Sequence, residues 1–180
     1  MLERPEAVTM RGNPLTLLGP ELKVGDRAPD FSLVTNEMQQ VTLADYKGMA
    51  LALVSVPSLD TPVCAVETRR FNSEAAKLDA SVRILTISMD LPFAQKRWCG
   101  AMGIDKVETL SDHREASFGL NYGVLIKELR LLARAVFVVD RAGVLTHVEL
   151  VREIADEPYY AGVLSALARA ATIINITYIL

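Results

Sequence analysis

The sequence is poor in cysteine, with two in 180 residues. That count excludes a disulfide-stapled scaffold and a metal site built from four thiolates. His113 and His147 are the only histidines and lack metal-ligand spacing, so each is expected at a surface or an interface. There is no basic excess. A formal net charge of −3 argues against a general nucleic-acid binder. No apolar run approaches the ~20 residues that span a bilayer, and the longest, Met49–Val56, ends at Pro57. The opening Met1-Leu2-Glu3-Arg4-Pro5-Glu6 lacks the apolar core of a secretory signal, so a cytoplasmic protein is expected. Asn175-Ile176-Thr177 then carries no weight as a glycosylation site. Apolar residues are plentiful at 51%, enough for a core without staples. The expectation is one domain over 1–180, with an uncharged tail from about residue 170 and two cysteines that are inert, paired or catalytic. In a reducing compartment, any pairing of Cys64 with Cys99 would be transient.

Three apolar runs predict buried strands: Met49–Val56, Val82–Ser88 and Ala135–Asp140. Their near-continuous apolar character implies cover on both faces. Val144–Val151, after the turn Arg141-Ala142-Gly143, reads as a hairpin partner of the third run. Phe31–Val34 and Gln40–Leu43 are shorter strands. Val8–Arg11 and Leu15–Leu18 flank Gly12-Asn13-Pro14 as an N-terminal β-hairpin. Helices are predicted at Val63–Leu78, Phe93–Met102, Arg114–Tyr122 and Pro158–Ala171. In the first, Val66, Arg70/Phe71 and Leu78 stand at helical spacing. Strands alternating with helices predict an α/β domain with a central mixed sheet flanked by helices. In such sheets reactive groups collect where a strand's carboxyl end meets the next helix, and Cys64 sits there.

The segment Val56-Pro57-Ser58-Leu59-Asp60-Thr61-Pro62-Val63-Cys64 carries the chemistry. Pro57 and Pro62 stiffen the loop, and Cys64 falls in a first helical turn. Free N–H groups and the helix dipole there favour a thiolate. Thr61 offers a hydroxyl that can donate and accept. An ordinary cysteine of pKa ~8.5 is already a few per cent ionised at neutral pH, so full ionisation raises the nucleophile only about thirtyfold, or roughly 2 kcal/mol. The larger part must come from a cation that polarises the second reactant. Arg134, in Ala133-Arg134-Ala135 at the entry to a buried strand, is the candidate. It is never neutral, and burial there would oblige its charge to find a partner. Taken alone, Cys64 would be a small buried residue, Thr61 a helix cap, Arg134 a strand-edge cation, Asp60 a solvated carboxylate and Trp98 packing.

The spacing Pro57-x-x-x-Thr61-x-x-Cys64 resembles the active-site motif of the peroxiredoxins. The string Pro57–Cys64 is similar to their thiol peroxidase subfamily, as are Gly12-Asn13-Pro14, Asp90–Gln95, Trp98-Cys99-Gly100, Leu110–Arg114 and Leu132–Val138. The resemblance implies a thioredoxin-like fold, a homodimer, and reduction of hydrogen peroxide and organic hydroperoxides with electrons from thioredoxin. It implies Cys64 as the attacking cysteine and Cys99 as the resolving one. The two would form an intramolecular disulfide after local unwinding of both helical segments. Thr61 and Arg134 complete the peroxide site, Pro57 and Pro62 shape the loop, and no metal or organic cofactor is needed. The tail after about Ala170 departs from the family pattern. A general dithiol oxidoreductase is the competing enzyme, disfavoured by the lack of Cys-x-x-Cys. A redox-sensing binding module using the same pair is the non-enzymatic alternative.

Overall fold

The computed structural model describes residues 2–172. The chain opens with β1 (Glu3–Met10) and β2 (Asn13–Leu18), followed by β3 (Ser32–Val34), β4 (Gln40–Thr42) and β5 (Ala50–Ser55). Next come α1 (Pro62–Ala75), β6 (Val82–Ser88), α2 (Pro92–Met102), β7 (Glu108–Ser111) and α3 (Ser117–Asn121). β8 (Leu125–Ile126), β9 (Ala135–Val139), β10 (Leu145–Leu150) and α4 (Tyr160–Thr172) follow. A seven-stranded mixed sheet runs in the order β10-β9-β5-β6-β7-β3-β4, with β5, β6 and β7 parallel. The hairpin β1-β2 joins β8 in a separate three-stranded sheet.

The expected strands and helices form, with several differences, among them the two-residue β8, which was not expected. The hairpin turn is Arg11-Gly12, both left-handed (φ 51° and 79°), while Asn13 and Pro14 already belong to β2. Positive φ at both central residues is what a two-residue turn between twisted strands requires. β7 was not anticipated, because Glu108-Thr109-Leu110-Ser111 is neither an apolar run nor long; pairing with β6 makes it a strand. α3 is shorter than its predicted span. The buried face of α1 is Cys64, Glu67, Thr68 and Phe71, whereas Val66 and Arg70 are exposed. Apolar spacing misplaced that face because a carboxylate occupies its centre. The tail residues 173–180 lie outside the described residues.

Alternation along the strands builds two cores. Leu51 and Leu53 of β5 enter one, with Phe31, Phe118, Tyr122 and Phe137. Ala50, Ala52 and Val54 enter the other, where α1, α2 and α4 contribute Phe71, Trp98 and Leu167. Cys64 lies in this second core, and Cys99 packs against it.

Candidate active site

β5 hands the chain to α1 through a short loop beyond its carboxyl end. Pro57 is buried there. The Ser58 carbonyl accepts both the Thr61 N–H (3.2 Å) and the Thr61 hydroxyl (3.1 Å). Thr61 is extended, and its Oγ1 accepts the Cys64 N–H at 3.4 Å, so it caps α1. Pro62 occupies the first helical position, where its fixed φ suits the helix and its missing N–H costs nothing. Thr61 and Pro62 thus place Cys64 in the first turn.

Arg134 arrives from the other side of the sheet order. Ser55, the last residue of β5, pairs with Ala135, the first of β9, and its hydroxyl donates to the Ala133 carbonyl at 2.8 Å. The pairing sets Arg134 opposite the end of β5, where the cysteine loop starts. Its side chain is only 1% exposed. Nη2 donates to Cys64 Sγ at 3.2 Å, Nε donates to the Ile154 carbonyl at 3.1 Å, and Nη1 is paired with Glu67. The guanidinium N–H groups that remain are free to meet an incoming oxygen.

Glu67 is the residue that sequence reasoning missed. It follows Cys64 by three positions, so both share a helix face; that spacing, with an arginine elsewhere in need of a partner, was the available signal. Burial pushes its carboxyl up to about 7, against the opposing pull of Arg134. Oε1 has no hydrogen-bond partner among the described residues. Burial also works against the Arg134 charge, but Glu67 and Cys64 outweigh it and hold the guanidinium above the ordinary arginine range.

Asp90 anchors the loop. Its carboxylate accepts the Ser58 hydroxyl, the Leu59 N–H and the Ser88 hydroxyl, each at 2.8 Å. Asp90→Ala is expected to lower folding stability by about 1–3 kcal/mol and to slow peroxide reduction. An unchanged denaturation midpoint would remove Asp90 from this role.

Cys99 stands apart from this group. Its Sγ contacts Thr109 Oγ1 at 3.4 Å and lines a cleft of ≈ 440 Å³ with Asn36, Arg83 and Lys106. Burial raises its thiol above the ordinary cysteine range, against weaker pulls from Thr109 and Asn36. Both cysteines are free thiols. Trp98 is buried in packing, and His113 is half-buried with Nδ1 2.8 Å from the Ser111 hydroxyl. Among the described residues no group of three or more His, Cys, Asp or Glu side chains is placed to hold a metal. Nor is any helix among them long and apolar enough to cross a membrane.

A buried cysteine at a helix start, bonded to a buried arginine, is an arrangement suited to attack on an electron-poor oxygen. The comparisons with known proteins decide the family. The redoxin family model matches residues 23–164. A thiol peroxidase of Oceanobacillus iheyensis is 59% identical over 160 residues, covering 89% of this chain and 97% of that protein. The chain belongs to the thiol peroxidase subfamily of the peroxiredoxins. The Bacillus subtilis thiol peroxidase is 58% identical over 85% of this chain and 91% of its own length. A crystal structure of a peroxiredoxin-like protein from Aquifex aeolicus superposes with a TM-score of 0.86 at 44% identity, covering 92% of this chain and 97% of that one. This thiol peroxidase has the thioredoxin-like fold of its relatives, and its activity is thiol-dependent reduction of peroxides.

Proposed function

We propose that Cys64 is the attacking cysteine of this peroxidase and Cys99 the resolving one. The observation that carries the reading is the Arg134 Nη2 donor on Cys64 Sγ at 3.2 Å. It sets a permanent cation against the sulfur that must bear negative charge. Cys64 thiolate attacks the distal oxygen of a hydroperoxide, forming the S–O bond as the O–O bond breaks. The displaced alkoxide or hydroxide takes a proton and leaves as alcohol or water. Thr61 and the remaining Arg134 N–H groups hold the two oxygens and stabilise the charge moving between them. Pro57 and Pro62 keep the loop in shape for that approach.

Cys99 then attacks the Cys64 sulfenic acid. A disulfide forms and one water departs. This step needs movement. Cys64 stands in the first turn of α1, just beyond the carboxyl end of β5, whereas Cys99 lies seven residues into α2, roughly 10 Å along that helix from its start beyond β6. A disulfide demands Cα atoms within about 7 Å. Burial in the cleft raises the Cys99 thiol and so disfavours its ionisation there. α2 is suited to opening, because its N-cap Leu91 offers no side-chain bond and Gly100 lies in its interior. Thioredoxin reduces the disulfide. One domain over 1–180, a homodimer, a cytoplasmic setting and no cofactor complete the reading, on the family likeness.

The test is mass spectrometry under non-reducing conditions after one equivalent of peroxide. The expected product is a Cys64–Cys99 link within one chain. Cys99→Ser is expected to stop at the Cys64 sulfenic acid and to lose thioredoxin-supported turnover. A link between two chains would refute the intramolecular version, and full turnover by Cys99→Ser would refute the resolving role.

A further inference from the structure

One short segment wraps Arg134. The Val151 N–H donates to the Arg134 carbonyl at 3.0 Å, and three residues later the Ile154 carbonyl accepts Arg134 Nε at 3.1 Å. The other edge of this segment is paired to the N-terminal hairpin. The Thr9 N–H donates to the Arg152 carbonyl at 2.7 Å, and the Ile154 N–H donates to the Thr9 carbonyl at 2.9 Å.

Glu153 closes the join. Its Oε1 accepts the N–H groups of Arg11 (3.0 Å) and Ala155 (3.2 Å). Its Oε2 accepts the Gly12 N–H (3.1 Å) and the Thr9 hydroxyl (3.0 Å). Arg11 and Gly12 are the two left-handed residues of the hairpin turn, so the carboxylate satisfies the donors that the turn leaves unpaired.

We infer that Glu153 is a positioning residue for peroxide reduction: it fastens the hairpin to Val151–Ile154 and so fixes the carbonyl that aims the Arg134 guanidinium. The inference rests on Arg134 acting at the peroxide site. The geometry explains why the aim depends on Ile154. Cys64 and Glu67 hold the two terminal nitrogens, and the Nε bond supplies the third point that sets the plane of the fork. A tilt of that plane moves the free N–H groups off the peroxide oxygens, and a misplacement of ~1 Å can cost roughly a hundredfold in rate. The hydrogen bonds, that from Gly12 foremost, hold the Glu153 carboxyl down to about 2. A depressed carboxylate contributes above its unfolded pKa and is lost as pH falls toward the folded one. Its contribution to stability is therefore complete from about pH 5 upward, and the clamp is not a switch near neutrality.

The hairpin also covers core residues Val8 and Leu17, so a loss of stability alone would not support the inference. The test compares two Cys64 reactions in Glu153→Gln: the peroxide rate, and alkylation by iodoacetamide, which needs the thiolate but no aimed cation. The peroxide rate is expected to fall roughly ten- to a hundredfold while alkylation changes far less, so their ratio drops. An unchanged ratio, even with a lower melting temperature, would overturn the inference. If Glu153→Gln fails to fold, Thr9→Val removes a single donor from the carboxylate and Thr9→Ser restores it. The ratio is expected to fall in the first and recover in the second, and equal ratios in both would again overturn it. Arg134→Lys is measured alongside. A wild-type ratio in that variant would refute the role of Arg134 itself, a failure distinct from that of Glu153.

Discussion

Cys64→Ser is expected to fold normally and to consume no peroxide beyond the uncatalysed background, a loss of about a millionfold or more. The side chain is fully buried and serine is slightly smaller, so the core around Phe71 is little disturbed. The chemistry is removed because a hydroxyl in this place is a weak nucleophile with no base within bonding reach to activate it. Its described polar neighbour, Arg134, donates and cannot accept a proton. Peroxide consumption with a saturating thiol reductant measures the outcome, and circular dichroism checks the fold. Wild-type consumption by Cys64→Ser would place the reaction elsewhere in the chain.

The second large effect belongs to Arg134. Arg134→Met keeps much of the volume but removes the cation. Loss of an aimed charge of this kind is expected to slow peroxide reduction by about 10²–10³-fold. It also leaves Glu67 buried without its partner, a loss of about 3–5 kcal/mol when the carboxylate is ionised. The pH dependence has a definite sign. The Glu67 pKa is raised to about 7, so its carboxylate is ionised above that and neutral below. Losing Arg134 raises it further, and the destabilisation of Arg134→Met is expected to shrink as pH falls through and below neutrality. Adding Glu67→Gln is expected to restore stability without restoring the rate. A double variant that regains the rate would show that Arg134 serves only to neutralise Glu67.

Much of the site was legible because it is carried by local sequence. Pro57, Thr61, Pro62 and Cys64 lie within eight consecutive residues, and a loop, a cap and a first helical turn are short-range structures. Arg134 was legible as a problem: an arginine entering an apolar run needs a counter-charge. Its partner was not, since apolar periodicity gives a charged residue no reason to face the core. Glu67 is buried only because Arg134, at the entry to β9 and six elements later in the chain, delivers a guanidinium to the same face of α1. β7 was hidden for a related reason, as four mixed residues become a strand through a neighbour.

The sequence by itself determined the α/β class, the strand-to-helix junction at Cys64, the subfamily resemblance and two thiols too few for any scaffold. Hydrophobic period and turn chemistry are local, and those features need nothing else. Only the tertiary structure decided that Arg134 touches Cys64, that Glu67 balances it, and that the hairpin reaches the Ile154 carbonyl through Glu153. Each of these joins residues far apart in the chain. Sheet register and loop pairing bring them together, and burial then makes each charge answer to another.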